Sequence, residues 1–266
     1  MASFFGSEFI FNGTPSSSFD VRILSLESGA TTNGPAGSDT TIVQKQIFRR
    51  SRPYFYGRST NTNLEFDLTI GSLDPLSSID RSAIESWLIG KMNYYPLQIV
   101  QDDMSNITFN VIFNKGSNAY VGNVNRGMTV HAYCQDPWGF ESNKTLTKTY
   151  SNTIINDTFT FYNGSADSDY LKPIITFTMN AASTSISITN VTDNSRATTF
   201  DSLLSGETIT MDCNRGTIVS STGLMRMTNF TSKKFFRLVQ GWNTINLLGG
   251  ISSFTMTYQF AKKIGG

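Results

Sequence analysis

At 266 residues, with 21 basic and 20 acidic side chains for a net charge of +1, the chain can bury one large core or two ordinary ones, and two domains fit slightly better. The near balance excludes a global electrostatic demand for nucleic acid, an anionic membrane or an acidic partner, so any such contact must be local. Charged residues make up only 15%, while Ser, Thr and Asn supply about a third of the chain, which suits the polar faces of β-sheets.

The opening residues, Met1 to Ile10, lack a basic segment followed by an apolar one, and no later stretch approaches about 18 uncharged apolar residues, so a soluble protein is expected. The two cysteines are too few for a disulfide framework and do not form a C-x-x-C pair. Cys134 shares an alternating face with Val130 and Ala132, and Cys213 with Ile209 and Met211, so both are expected as buried apolar residues.

Residues Glu27 to Asp39 hold three Gly, one Pro and small polar side chains, which predicts a loop or a long hairpin tip. The dense basic cluster follows: Arg49, Arg50, Arg52 and Arg58, interleaved with Phe48, Tyr54, Phe55 and Tyr56. Arg beside aromatics can stack on bases and pair with phosphates. It can equally form a protein interface, where Arg and Tyr are enriched. No basic excess surrounds the cluster, so Arg49, Arg50, Arg52, Tyr54, Tyr56 and Arg58 are taken as a candidate subunit interface.

Period-two alternation then dominates. Leu64, Phe66, Leu68 and Ile70 predict one half-buried strand, and Ile107, Phe109, Val111 and Phe113 another. Between them Ile79, Ala83 and Trp87 recur at intervals of four, widened by Ile84 and Leu88, which predicts an amphipathic helix laid over the N-terminal sheet with Trp87 beneath it. Ser77 with Asp80 forms a capping box, and Gly90 is placed to supply a left-handed terminating residue. Asp136, Pro137, Trp138 and Gly139 mark a boundary near residue 140, followed by a polar stretch of low bulk from Glu141 to Asn156. Alternation returns at Ile175, Phe177 and Met179, at Ile186 and Ile188, at Ile209 and Met211, and at Phe254, Met256, Tyr258 and Phe260. Mainly antiparallel sheets, each with one face on a core, follow from this pattern.

Catalysis is hard to assemble from these residues. His131 is the only histidine and sits in a strand pattern, with no H-E-x-x-H, His-Cys cluster or G-x-S-x-G. Asp102 with Asp103, and Asp167 with Asp169, are carboxylate pairs in the polar turns where Asp serves local backbone hydrogen bonding, against the glycosidase reading of such pairs. No catalytic, metal or cofactor-binding residue is assigned. Trp242, in Gly241-Trp242-Asn243, can stack on a sugar ring, but packing at a sheet corner is the expectation.

The order of segments resembles the distal tail protein family of long-tailed bacteriophages. Phe9 to Gly13 with Ser17, Ser18 and Phe19 is similar to the family's start. Arg49 to Arg58, containing Pro53 to Gly57, leads into the strand Leu64 to Ile70, the helix ending Trp87-Leu88, and Pro96-Leu97. Val130 to Phe140 is similar to the strand and Asp-Pro-aromatic step that closes the first domain. Further landmarks are Asn163-Gly164, Lys172 to Ile175, Ile186 to Val191, Leu204 to Asp212, Phe235 to Leu238 and Gly241 to Ile245.

The resemblance implies a mainly β protein of two β-sandwich-like domains. Residues 1–140 would be a tail-tube-like, ring-forming domain with one helix. Residues 141–266 would be a galectin-like or carbohydrate-module-like sandwich, with 251–266 either staying there or returning to the first domain. It also implies a virion protein of the tail tip or baseplate: a hexameric ring between the tail tube protein and the tail-associated hub, surrounding the tape measure protein and later DNA in passage, with receptor-binding proteins as further partners. No cofactor or membrane is implied. The alternative is a monomeric glycan-binding or receptor-binding module.

Overall fold

The computed structural model describes residues 7–24, 40–48, 50–60, 63–102, 104, 106–121, 123–151, 153–167 and 169–262. The chain separates into two compact units, one running to Glu141 and taking in Lys262, the other Ser142–Ala261. In the first lie β1 (Glu8–Phe11), β2 (Thr14–Pro15), β3 (Arg22–Ile23), β4 (Thr40–Lys45), β5 (Tyr54–Thr60), β6 (Glu65–Gly71), α1 (Ser78–Leu88), β7 (Tyr95–Val100), β8 (Ile107–Val121), β9 (Val124–Cys134) and β10 (Gly139–Glu141). The second carries β11 (Lys144–Thr149), β12 (Ile155–Asn163), β13 (Ile174–Met179), β14 (Ile186–Asn190), β15 (Arg196–Phe200), β16 (Thr208–Asp212), β17 (Thr217–Ser220), β18 (Gly241–Gly249) and β19 (Ile251–Tyr258). A two-residue strand, β20 (Ala261–Lys262), ends the described chain.

The main path of the first unit's sheet is β2-β1-β7-β8-β9-β6-β3, and the pairs along it are antiparallel. Alternation places Phe66, Leu68 and Ile70 of β6, Phe109, Val111 and Phe113 of β8, and Val130, Ala132 and Cys134 of β9 on one buried face. Each of these Val, Leu, Ile and Phe side chains taken out of water contributes about 1.5–3 kcal/mol. β6 and β9 approach closely where Gly71 faces Gly127: a Cβ on Gly127 would lie 2.1 Å from the carbonyl oxygen of Ile70.

Helix α1 covers this face. Ser77 Oγ accepts from the Asp80 amide at 3.2 Å, and Asp80 Oδ2 accepts from the Ser77 amide at 3.0 Å, the reciprocal cap expected. The hydrogen bonds from the Ser77 side chain, and then from its amide, hold the Asp80 carboxyl below the usual range. Trp87 is buried, stacked on Phe19 at 4.5 Å and on Phe9 at 5.5 Å.

Two expectations for α1 fail. Ile79 is 79% exposed and Ala83 faces solvent, so the buried stripe is Ile84, Trp87 and Leu88. The helix touches the sheet through its last turns only. It also ends without a left-handed residue, because Ile89 is right-handed helical and its amide, like that of Gly90, reaches the Glu85 carbonyl.

The second unit holds a five-stranded sheet, β11-β19-β13-β16-β17, and a four-stranded sheet, β12-β18-β14-β15. Their buried residues form one cluster, with Ile175, Phe177, Ile209 and Phe254 from the first sheet and Ile188, Phe200, Ile245 and Leu247 from the second. Part of the polar stretch from Glu141 to Asn156 is therefore ordered as β11, pairing from Lys144↔Tyr258 to Thr149↔Ser253. β19 is an inner strand of the second unit and not of the first. Beyond it, Lys262 belongs to the first unit, its Nζ 2.9 Å from Glu141 Oε1. Cys134 and Cys213 are both buried, and burial pushes each thiol up to about 12.

The outward face of the four-stranded sheet is uncharged. Its rows run in register: Asn156, Leu248, Ser187 and Thr199; then Thr158, Asn246, Thr189 and Ala197; then Thr160 and Thr244; then Tyr162 and Trp242. No Asp, Glu, Lys or Arg occupies an outward position on these four strands.

Candidate functional site

Among the described residues β4 and β5 pair only with each other, from Thr40↔Thr60 to Lys45↔Tyr54, with a register shift after Val43 that passes over Tyr56. Gly57 allows that shift at φ +126°, a conformation costly for other residues. No described residue of this arm enters the buried core. Its apolar side chains are outside on both faces: Ile42, Val43, Ile47, Tyr54, Phe55 and Tyr56 are exposed, and Phe48 is 86% exposed.

The candidate interface residues fall on this arm. Arg50 and Tyr54 meet: the guanidinium carbon lies 4.9 Å from the ring centroid, and Nη1 donates to the phenol oxygen. The Arg50 carbonyl accepts from the Gln46 side chain, closing the turn. Arg52 and Tyr56 are exposed. Arg49 lies outside the described residues, as does the Glu27 to Asp39 segment, and the side chain of Arg58 is likewise not described. Sequence reasoning named Phe48 but missed Ile42, Val43 and Ile47. A signal was present: Ile42-Val43 and Ile47-Phe48 are adjacent apolar pairs, which put bulk on both faces of a ribbon where alternation would put it on one.

Of the acidic and histidine residues weighed for chemistry, His131 and the Asp167 and Asp169 pair have local partners. His131 Nδ1 lies 2.7 Å from Asp67 Oδ1 and Nε2 3.2 Å from Glu65 Oε2, on neighbouring strands. Asp167 Oδ1 accepts from the Asp169 amide at 3.0 Å, the turn role expected of it. Asp102 lies in a turn, and Asp103 is outside the described residues.

Trp242 corrects its expectation. It is 67% exposed at the end of β18 beside Tyr162, with ring centroids 5.2 Å apart and planes inclined at 59°. Asn243 turns inward instead, where its Nδ2 donates to the Val239 carbonyl at 2.8 Å and its Oδ1 accepts from the Val239 amide at 2.9 Å.

Paired strands with exposed aromatic and arginine side chains form a surface suited to contact with other chains. Comparison with known proteins gives the class. Residues 4–136 match a family model described as the phage tail protein N-terminal domain, and residues 138–258 one described as the phage tail C-terminal domain. The chain belongs to this family of phage tail proteins, and it is a structural component of the virion tail.

Its fold is similar to that of the Dit (gp 19.1) protein of phage SPP1, a structure described as a paradigm of the hub adsorption apparatus in phages infecting Gram-positive hosts. The identity is 15%, the TM-score 0.69, and the likeness covers 95% of this chain and 98% of that one. Chains of the phage p2 baseplate in its activated conformation are also similar. With calcium the identity is 9%, the TM-score 0.50 and the coverage 90% of each chain. With strontium the identity is 9%, the TM-score 0.50 and the coverage 92% and 91%. No curated protein sequence matches the chain. The sequence resemblance to distal tail proteins and the mainly β, two-part fold agree with these findings.

Proposed function

We propose that this protein is a distal tail protein: six copies close a ring at the end of the tail tube and join it to the tail-tip apparatus. In this reading the first unit, to Glu141 with Lys262, builds the ring and Ser142–Ala261 forms the outward sandwich. The tail tube protein stacks above, the tail-associated hub below, and receptor-binding proteins attach outside. The tape measure protein, and later DNA, occupies the lumen without being read, and no turnover takes place.

One observation carries the ring: an arm whose apolar residues face outward on both sides. A two-stranded ribbon is at best marginally stable alone in water, and exposed apolar patches of this kind mark interaction sites. A ring uses one patch against a different patch on the neighbour, repeated until the rotation closes. An arm reaching from one subunit to the next meets that need, with Arg50, Arg52, Tyr54 and Tyr56 as anchors and Arg49 and Arg58 on the same segment.

Replacing Arg49, Arg50 and Arg52 together with Ala should leave a folded chain that runs as a monomer by light scattering, while the parent runs at six times the chain mass. A parent of one chain mass at all concentrations would instead favour a monomeric binding module. Intact rings from the triple variant would remove the arm from the interface.

A further inference from the structure

We infer that the outward face of the four-stranded sheet in the second unit is a binding site for neutral saccharides, with Trp242 and Tyr162 as its stacking pair. This goes beyond the ring, since every residue concerned lies in that unit and none lies on the arm.

An exposed Trp needs a reason. Trp242 is 67% and Tyr162 54% exposed, and they are register partners on β18 and β12. Their rings, inclined at 59°, form a shallow wedge open to solvent. The face of a pyranose carries C–H groups that are weakly positive, and the face of an indole is negative, so the two stack. The ring hydroxyls then lie at the edges of the stack, where they need neutral donors and acceptors. Thr160 and Thr244 form the adjacent row and Thr158 and Asn246 the next. These residue types both donate and accept, as sugar hydroxyls do. From Trp242 to Leu248 the face runs for ~20 Å, room for several sugar rings in line.

Charge decides between occupants. With no ionised side chain on the outward positions of four strands, the face offers nothing to phosphate, sulfate or carboxylate, so an anionic polymer is disfavoured. A protein partner would require a largely apolar centre. Apart from the aromatic pair and Leu248, the face presents hydroxyl and amide groups with one Ala, which match a polyhydroxylated ligand.

The pair is also held in advance. Asn163 and Asn243, the buried neighbours of Tyr162 and Trp242, both donate to the Val239 carbonyl, at 3.1 and 2.8 Å. Asn190 Nδ2 adds a bond to Asn243 Oδ1 at 2.9 Å. The strand ends that carry the two rings are therefore clamped to one loop. Little order remains to be gained on binding, and a fixed platform binds more tightly than a mobile one.

The test uses the full-length protein, an array of neutral oligosaccharides and bacterial wall and capsular polysaccharides, and saturation-transfer NMR on cellohexaose, maltohexaose and chitohexaose. Binding to neutral glycans is expected, weakened at least tenfold in Trp242→Ala and several-fold in Tyr162→Ala. Both variants should keep the parent's unfolding midpoint, because both side chains are largely in solvent. The inference is overturned if no neutral glycan binds, if only anionic polymers bind, or if Trp242→Ala binds as well as the parent. It is equally overturned if that variant loses only the capture of another tail protein, which would make the face a protein interface.

Discussion

Arg226 grips Glu207 with two parallel hydrogen bonds, Nε to Oε1 at 2.6 Å and Nη2 to Oε2 at 2.7 Å, with the carboxylate fully enclosed. Ser220 Oγ donates to Oε1 at 2.5 Å and the Leu204 amide to Oε2 at 2.8 Å. Breaking such a pair from one side strands a buried charge, at a cost of about 3–5 kcal/mol. Arg226→Met should therefore lower the urea midpoint strongly. A loss below about 1 kcal/mol would mean that the carboxylate has another partner.

The same pair sets a pH dependence. Burial alone would push the Glu207 carboxyl up, but the hydrogen bonds from Arg226, Ser220 and Leu204, with the guanidinium charge, outweigh it and hold the group at about 2, against 4.5 ordinarily. A folded-state value below the unfolded one means stability that is present above pH 4.5 and lost as pH falls towards 2. On the order of 3 kcal/mol is at stake. The difference in unfolding free energy between the parent and Glu207→Gln should shrink across that window and stay level from pH 5 to 7.

Trp87 fills the space between Phe9, Phe11 and Phe19. Trp87→Ala should cost about 3–5 kcal/mol, the range for emptying a large core site. Trp87→Phe, which keeps a ring against Phe19, should cost less than half of that. Equal losses in thermal unfolding would show that something other than volume is at work.

Changing Phe55 and Tyr56 to Ser removes exposed bulk, so each change should shift monomer stability by no more than about 0.5 kcal/mol. If the proposed ring closes through this arm, the mass in solution should fall nonetheless. A large drop in the unfolding midpoint would place these side chains in the monomer's own packing.

With thiols buried and raised to about 12, Cys134 and Cys213 hold almost no thiolate at pH 8. Neither should react with iodoacetamide in the native protein, and both should react in guanidinium chloride. Rapid native labelling would reveal local opening of a strand.

Much of the fold was legible because a strand's period of two is a local property. Leu68, Ile70, Phe177 and Ile188 announce their buried side without knowing their neighbours. The Ser77 and Asp80 cap was legible for the same reason, as it closes within four residues. Ile79 was not: it fits the helical stripe, but the sheet below reaches only the last turns of α1, and nothing near Ile79 in the chain reports that reach. β11 escaped because Lys144 to Thr149 is covered on one side only and carries little bulk to mark it.

The sequence by itself determined that the chain makes sheets, carries one helix, lacks the usual catalytic motifs and resembles a phage tail component, since these follow from local periodicity and from the order of short segments. Tertiary structure alone decided which apolar side chains remain uncovered. Val43 and Trp242 read like core residues until the strands pair, because burial depends on what long-range partners bring to each face.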